Sequence, residues 1–175
     1  MSRHHPRGIT PIEPGPGQES AWDYPRPPAL LPSTKRVVVT IGDAAAPVVI
    51  ADTTGAYRVL ETSHPPTWYL PRAHISPEAL RPSRRRSTVC EWKGAATYWD
   101  VVGPAGELIE AAGWSYQQPT ERFVPMTGFV AFMPALVQCW VDGERVRPQA
   151  GGFYGGWITD DVVGPFKGEA GTWGW

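Results

Sequence analysis

Two short stretches bring acids, bases and rings close enough in sequence to share a site. The first is Cys90-Glu91-Trp92-Lys93-Gly94, followed closely by Tyr98-Trp99-Asp100. Side-chain alternation along a strand predicts Glu91 and Lys93 on one face, with Cys90 and Trp92 on the other. In the strand after Gly94 it sets Ala96, Tyr98 and Asp100 together, opposite Thr97 and Trp99. An acid and a base two residues apart form either a proton-transfer pair or an ion pair. As an exposed pair they would contribute only about 0–1 kcal/mol.

The second stretch is Glu61-Thr62-Ser63-His64-Pro65-Pro66-Thr67. Two prolines after His64 fix the local backbone and hold the histidine outside regular strand pairing. An imidazole beside an acid suits general acid–base work or the orientation of a ligand. The plainer alternative is a loop histidine that is merely exposed or hydrogen-bonded.

Other chemistries lack their residues. Cys90, Cys139, His64 and His74 do not have zinc-ligand spacing, so no metal is expected. Neither a G-x-x-x-x-G-K-[ST] loop nor a strand-linked G-x-G-x-x-G occurs, so no cofactor is expected. Ser63 directly precedes His64, a spacing that does not suggest a nucleophile and its base. The glycine-rich tail carries Phe, Tyr and Trp in its turns and makes a poor phosphate cradle.

The elements that must position these residues read as strands. Lys35 to Ile41 is a β-branched run, and Val48 to Ala51 reads as its hairpin partner after the Gly42-Asp43 turn. Tyr57 to Glu61 and Trp68 to Leu70 flank the His64 loop. Ser76 reads as a cap, with Pro77 opening one short helical turn. Strands are predicted at Thr88 to Lys93, Ala96 to Val102, Leu108 to Ala112, Trp114 to Tyr116, Phe129 to Met133 and Leu136 to Val141. Pro119 to Met126 is read as a second short helix. Asp142-Gly143 signals a tight hairpin into Glu144 to Arg147.

Composition agrees with a mainly β domain. The 20 Pro and 19 Gly of the 175 residues disfavour long helices, while 9 Trp, 6 Tyr and 5 Phe favour half-buried pleated surfaces. That many aromatics also suits a lined binding surface. A net charge of −1 leaves no electrostatic footprint for nucleic acid, and Arg84-Arg85-Arg86 reads as a solvated loop. No stretch has the length and apolarity of a membrane span, so no membrane partner and a cytoplasmic home are expected. Two cysteines this far apart suggest buried free thiols.

Residues 1–18 are polar and read as a disordered tail ahead of one β-rich domain, 19–175. Trp22 and Tyr24 beside Pro25-Arg26-Pro27-Pro28 read as an arm laid in extended form across the surface. Gly151-Gly152-Phe153-Tyr154-Gly155-Gly156-Trp157 and Gly164-Pro165-Phe166-Lys167-Gly168 form a tail expected to pack against the sheet, since glycine permits close approach.

Leu60 to Thr67, Cys90 to Gly94 with Tyr98-Trp99, Trp114-Ser115-Tyr116 and Gly128 to Pro134 together resemble the domain-of-unknown-function 427 family over about residues 35–147. The arm and tail look like its extended variant. The resemblance implies a compact antiparallel β domain similar to the β-tent group, with one or two short helices. Zinc-binding members of that group carry paired cysteines that are missing here, so no zinc is carried over. Glu61, Thr62, His64, Glu91, Lys93, Tyr98, Trp114 and Tyr116 match the family's polar and aromatic signature.

The function expected is small-molecule binding in an aromatic-lined pocket. Tyr69, Tyr98, Trp114, Tyr116, Tyr154 and Trp157 would supply rings, and Glu61, Thr62, His64, Glu91 and Lys93 polar groups. One alternative is a metal-independent enzyme with Glu91, His64 or Glu61 in acid–base roles and Lys93 stabilising negative charge. Another is an interaction module using the tryptophan-rich arm and tail.

Overall fold

A hairpin of two nine-residue strands, Gly94–Val102 and Leu108–Tyr116, carries most of the candidate rings. Its register sets Tyr98 opposite Trp114 and Ala96 opposite Tyr116, so these side chains share one face. Val130–Phe132 extends this sheet on one side, and Leu80–Pro82 and Val89–Cys90 on the other. The computed structural model describes residues 8–175. Residues 1–7, part of the tail expected to be disordered, lie outside the described residues.

A second sheet has the order Glu144–Arg145, Gln138–Val141, Val37–Ile41, Val48–Thr53. A third joins Ala29–Pro32, Tyr57–Leu60 and Thr67–Tyr69. All three sheets are antiparallel, so the mainly β reading holds. The helices described are short 3-10 segments: Ala21–Asp23, Arg72–His74, Pro77–Ala79 and Glu121–Met126. None is long and apolar enough to cross a membrane.

Local chemistry explains much of this. Val37, Val39 and Ile41 alternate inward and pack with Trp68, Val101, Phe132 and Cys139 in the larger core. At the tight turn Asp142 and Gly143 both have positive φ, 47° and 82°, the backbone an Asp-Gly hairpin requires. A smaller core of Val59, Tyr69, Ala96, Tyr116, Phe123, Met126 and Ala131 lies beneath the half-buried rings of Tyr98 and Trp114.

Several expectations are corrected. The strand predicted at Thr88 to Lys93 pairs only through Val89–Cys90, and residues 91–93 form a turn. That turn is tied to the 118–120 loop instead of a strand partner. Thr120 donates from its backbone N–H to Lys93 O at 3.2 Å and from Oγ1 to Trp92 O at 2.6 Å. The alternation argued for Glu91 and Lys93 therefore does not apply. Leu108 to Tyr116 is one strand, not two, bulged between Ile109 and Gly113. Within the bulge Ala111 has φ 49°, and its N–H donates to Asp100 Oδ1 at 2.8 Å. Ser76 does precede a short turn with Pro77 at its start, but its side chain makes no capping bond.

The arm is not laid out in extended form. Ala21–Asp23 makes a 3-10 turn, with Trp22 and Tyr24 buried. Trp22 Nε1 donates to Pro165 O at 2.8 Å, and Glu19–Ser20 pairs in parallel with Val162–Val163. Arm and tail thus close on each other. Ile12 N–H also reaches Gly164 O at 2.8 Å. Cys139 is fully buried, and burial pushes its thiol well above the usual range. Cys90, expected to be buried, is half-buried.

Candidate functional site

The shared face of the hairpin opens into a cavity of about 530 Å³, within the range of small-molecule sites. Glu61, His64, Tyr69, Glu91, Lys93, Tyr98, Trp114, Tyr116 and Tyr154 all line it. These residues come from the His64 loop, the 91–93 turn, three strands and the tail.

Thr62 and Trp157, also expected at the site, do not line it. Thr62 Oγ1 donates to Tyr24 O at 2.6 Å, fastening the loop to the arm. Trp157 is fully buried in the larger core, where it stacks on Trp68 with centroids 6.1 Å apart and donates from Nε1 to Phe132 O at 3.0 Å. Its indole has become packing. Cys90, by contrast, reaches the cavity wall.

The rings brace one another. Tyr69 meets Trp114 edge to face at 6.4 Å, and Trp114 Nε1 donates to Tyr69 Oη at 3.3 Å. Tyr116 lies 6.3 Å from Tyr69. Burial pushes both phenols, Tyr69 and Tyr116, above their ordinary range, so they stay neutral at physiological pH. Gly155 packs on Trp114 so closely that a Cβ there would lie 2.1 Å from Cη2. Only glycine lets the tail form this wall.

The His64 loop is held from both sides. Ser63 has φ 70° and is fully buried; its N–H donates to Ala21 O and its carbonyl accepts from Lys167 N–H. The loop is pinned between arm and tail. Glu61, expected as the acid beside His64, points its carboxylate at Arg26 Nε, 3.5 Å away. His64 touches Glu61 only through its backbone N–H, which donates to Glu61 O at 3.0 Å.

The side-chain partner of His64 is Gln149, which no local pattern marked. Gln149 Oε1 accepts from Gly156 N–H at 3.2 Å, and Nε2 donates to Lys167 O at 2.6 Å. Those two bonds orient the amide, so Nε2 also faces His64 Nδ1, 3.2 Å away. Nδ1 must accept, which puts the proton of the neutral ring on Nε2. Burial, and then the charges of Lys167, Arg26 and Lys93, lower the His64 pKa from 6.5 to about 4. Gln149 would counter that shift only by turning its oxygen to Nδ1, and its bonds to Gly156 N–H and Lys167 O hold the amide the other way round. The imidazole edge-packs on Tyr154 at 5.1 Å.

Lys167 and Arg85 also line the cavity and were not singled out from the sequence. Arg85 belongs to the run read as a solvated loop. It is exposed, yet its guanidinium lies 4.4 Å from the Tyr98 ring centroid. Lys93 Nζ sits 5.8 Å from the Tyr116 ring and Lys167 Nζ 5.9 Å from that of Tyr154. Among the described residues no group of three or more His, Cys, Asp or Glu is placed to hold a metal ion.

No curated protein matches the chain. A family model described as a domain of unknown function, DUF427, matches residues 29–143, well over half of the 175. The matched span includes Glu61, His64, Glu91, Lys93 and the Tyr98, Trp114 and Tyr116 wall; Gln149, Tyr154 and Lys167 come from the segment after it. On that match, the chain belongs to the DUF427 family.

Proposed function

We propose that the cavity binds a small molecule between the tyrosine–tryptophan wall and the polar groups of the His64 loop, the 91–93 turn and the tail. The observation that carries this reading is convergence: segments distant in sequence deliver nine of the expected residues to one space of about 530 Å³. Ring walls with a few fixed polar groups are the usual build of such sites. A cytoplasmic setting, in which Cys90 and Cys139 remain thiols, suits it.

The geometry offers less to a metal-independent enzyme. His64 holds its proton on Nε2 and takes up a second one only near pH 4, so it serves better as a hydrogen-bond donor than as a base. Glu91 stands exposed on its turn. An interaction surface built on the tryptophan-rich arm and tail loses Trp22 and Trp157 to packing and keeps Trp173 exposed.

Native mass spectrometry of the protein purified from its source, with a metabolite thermal-shift screen, tests the binding reading. A bound small molecule that is lost in Trp114→Ala supports it. Retention of every bound species by that variant would place binding elsewhere.

A further inference from the structure

Outside the cavity some described cations are paired with a carboxylate and others, Arg72, Arg81, Arg84, Arg86, Arg122 and Arg145, are not. Arg26, Lys35, Arg36, Arg58 and Arg147 each have a carboxylate within ion-pair distance. Of the three that line the cavity, Lys93 and Arg85 have none among the described residues, and Lys167 Nζ donates to Trp175 O at 3.0 Å. Each of the three lies against a tyrosine ring of the same cavity. A half-buried ammonium with no counter-charge carries a desolvation cost that an anion entering the site would offset.

The cavity's carboxylates do not supply that counter-charge. Glu61 is directed to Arg26, and Glu91 stands at the exposed rim. Lys167 Nζ and the His64 imidazole both lie against the Tyr154 ring, 5.9 and 5.1 Å from its centroid, and Lys93 lies against Tyr116 of the same cavity. The Nε2–H of His64 adds a neutral donor there. A cationic ligand is poorly served, because the faces of Tyr98, Tyr116 and Tyr154 already carry the protein's own cations.

Resting on the binding reading above, we propose that the occupant is a flat aromatic or heteroaromatic ring bearing a carboxylate or phosphate. The ring packs on Trp114, and Lys93, Lys167 and the His64 Nε2–H hold the anionic group. Lys167 Nζ already donates to Trp175 O at 3.0 Å, so binding draws on its remaining protons.

The test is a panel of mono- and bicyclic aromatic rings, each presented as carboxylate, phosphate monoester, carboxamide and methylammonium. Affinities are measured by ligand-observed NMR and calorimetry on the full chain. The anionic members are expected to bind about tenfold tighter than the matched carboxamides, the worth of one charge-assisted hydrogen bond. Lys93→Met should erase that preference and Lys93→Arg retain it, with melting temperatures showing that both fold. The tighter of the carboxylate and phosphate arms names the group. Carboxamides or methylammonium compounds binding as well as the anions, with Trp114→Ala still abolishing binding, would overturn the anion assignment and leave the cavity reading standing. Binding of no panel member, or binding indifferent to Trp114→Ala, would overturn both.

Discussion

Gln149 Nε2 faces His64 Nδ1 at 3.2 Å, and the amide is turned that way by its other two bonds, to Gly156 N–H and Lys167 O. A residue from the tail thus sets the tautomer of an imidazole some way back in the chain. Gln149→Glu replaces a donor with a carboxylate and should raise the His64 pKa above its value of about 4 by one unit or more. Proton–nitrogen NMR of the imidazole reads this directly. In the parent protein the same spectra should show Nδ1 unprotonated at neutral pH.

The lowered His64 pKa also makes stability depend on pH. Between pH 6.5 and 4 the unfolded chain takes up a proton that the folded imidazole refuses, so acidification favours unfolding. The loss should total about 3 kcal/mol across that window and stop once the folded ring titrates. His64→Gln should flatten the curve there in urea titrations run at stepped pH. Asp161 is held low chiefly by hydrogen bonds from Lys35 and Thr159, against its own burial. Its stabilisation is lost only below its usual 3.8, a separate and more acidic step.

Gly155→Ala should disturb the cavity wall without touching any polar group. The new methyl would lie 2.1 Å from Trp114 Cη2, so either the indole swings or the tail lifts. Loss of the Trp114 Nε1–H to Tyr69 bond should shift the indole proton resonance. Gly174→Ala, where a Cβ meets nothing within 4 Å, should leave that resonance in place.

Trp157→Ala should lower stability by about 3–5 kcal/mol, the usual cost of removing a large buried ring. The indole is fully buried, stacks on Trp68 and donates to Phe132 O, so three kinds of contact are lost together. Denaturant unfolding measures the loss. A change of less than about 1 kcal/mol would mean that the tail does not close the core.

Ser63→Gly should stabilise the protein by about 1 kcal/mol, since it relieves a left-handed backbone and removes a buried hydroxyl. Ser63 has φ 70°, and its Oγ is buried without a hydrogen-bond partner among the described residues. Its melting temperature should rise, measured beside a Ser87→Gly control at an exposed position.

Most strands and turns were legible because their causes are local. The Val37, Val39 and Ile41 alternation and the Asp142-Gly143 turn act within a few residues, and both form as expected. The hairpin face of Ala96 and Tyr98 followed from the same period of two, and Tyr98 meets the Trp114 and Tyr116 face through strand register. Glu91 and Lys93 line the cavity, but strand alternation is not what places them there. Their turn is made by bonds from Thr120, which no alternation pattern contains.

The sequence by itself therefore determined a β-rich chain and the residue types of a candidate site. Only the tertiary structure decided which of them meet. It sent Trp157 into the core, turned Glu61 toward Arg26 and brought Gln149 and Lys167 beside His64. The reason is physical: period and turn chemistry are short-range, whereas a cavity is closed by contacts between segments far apart in the chain. Its partners are selected by burial and hydrogen-bond satisfaction across the whole fold.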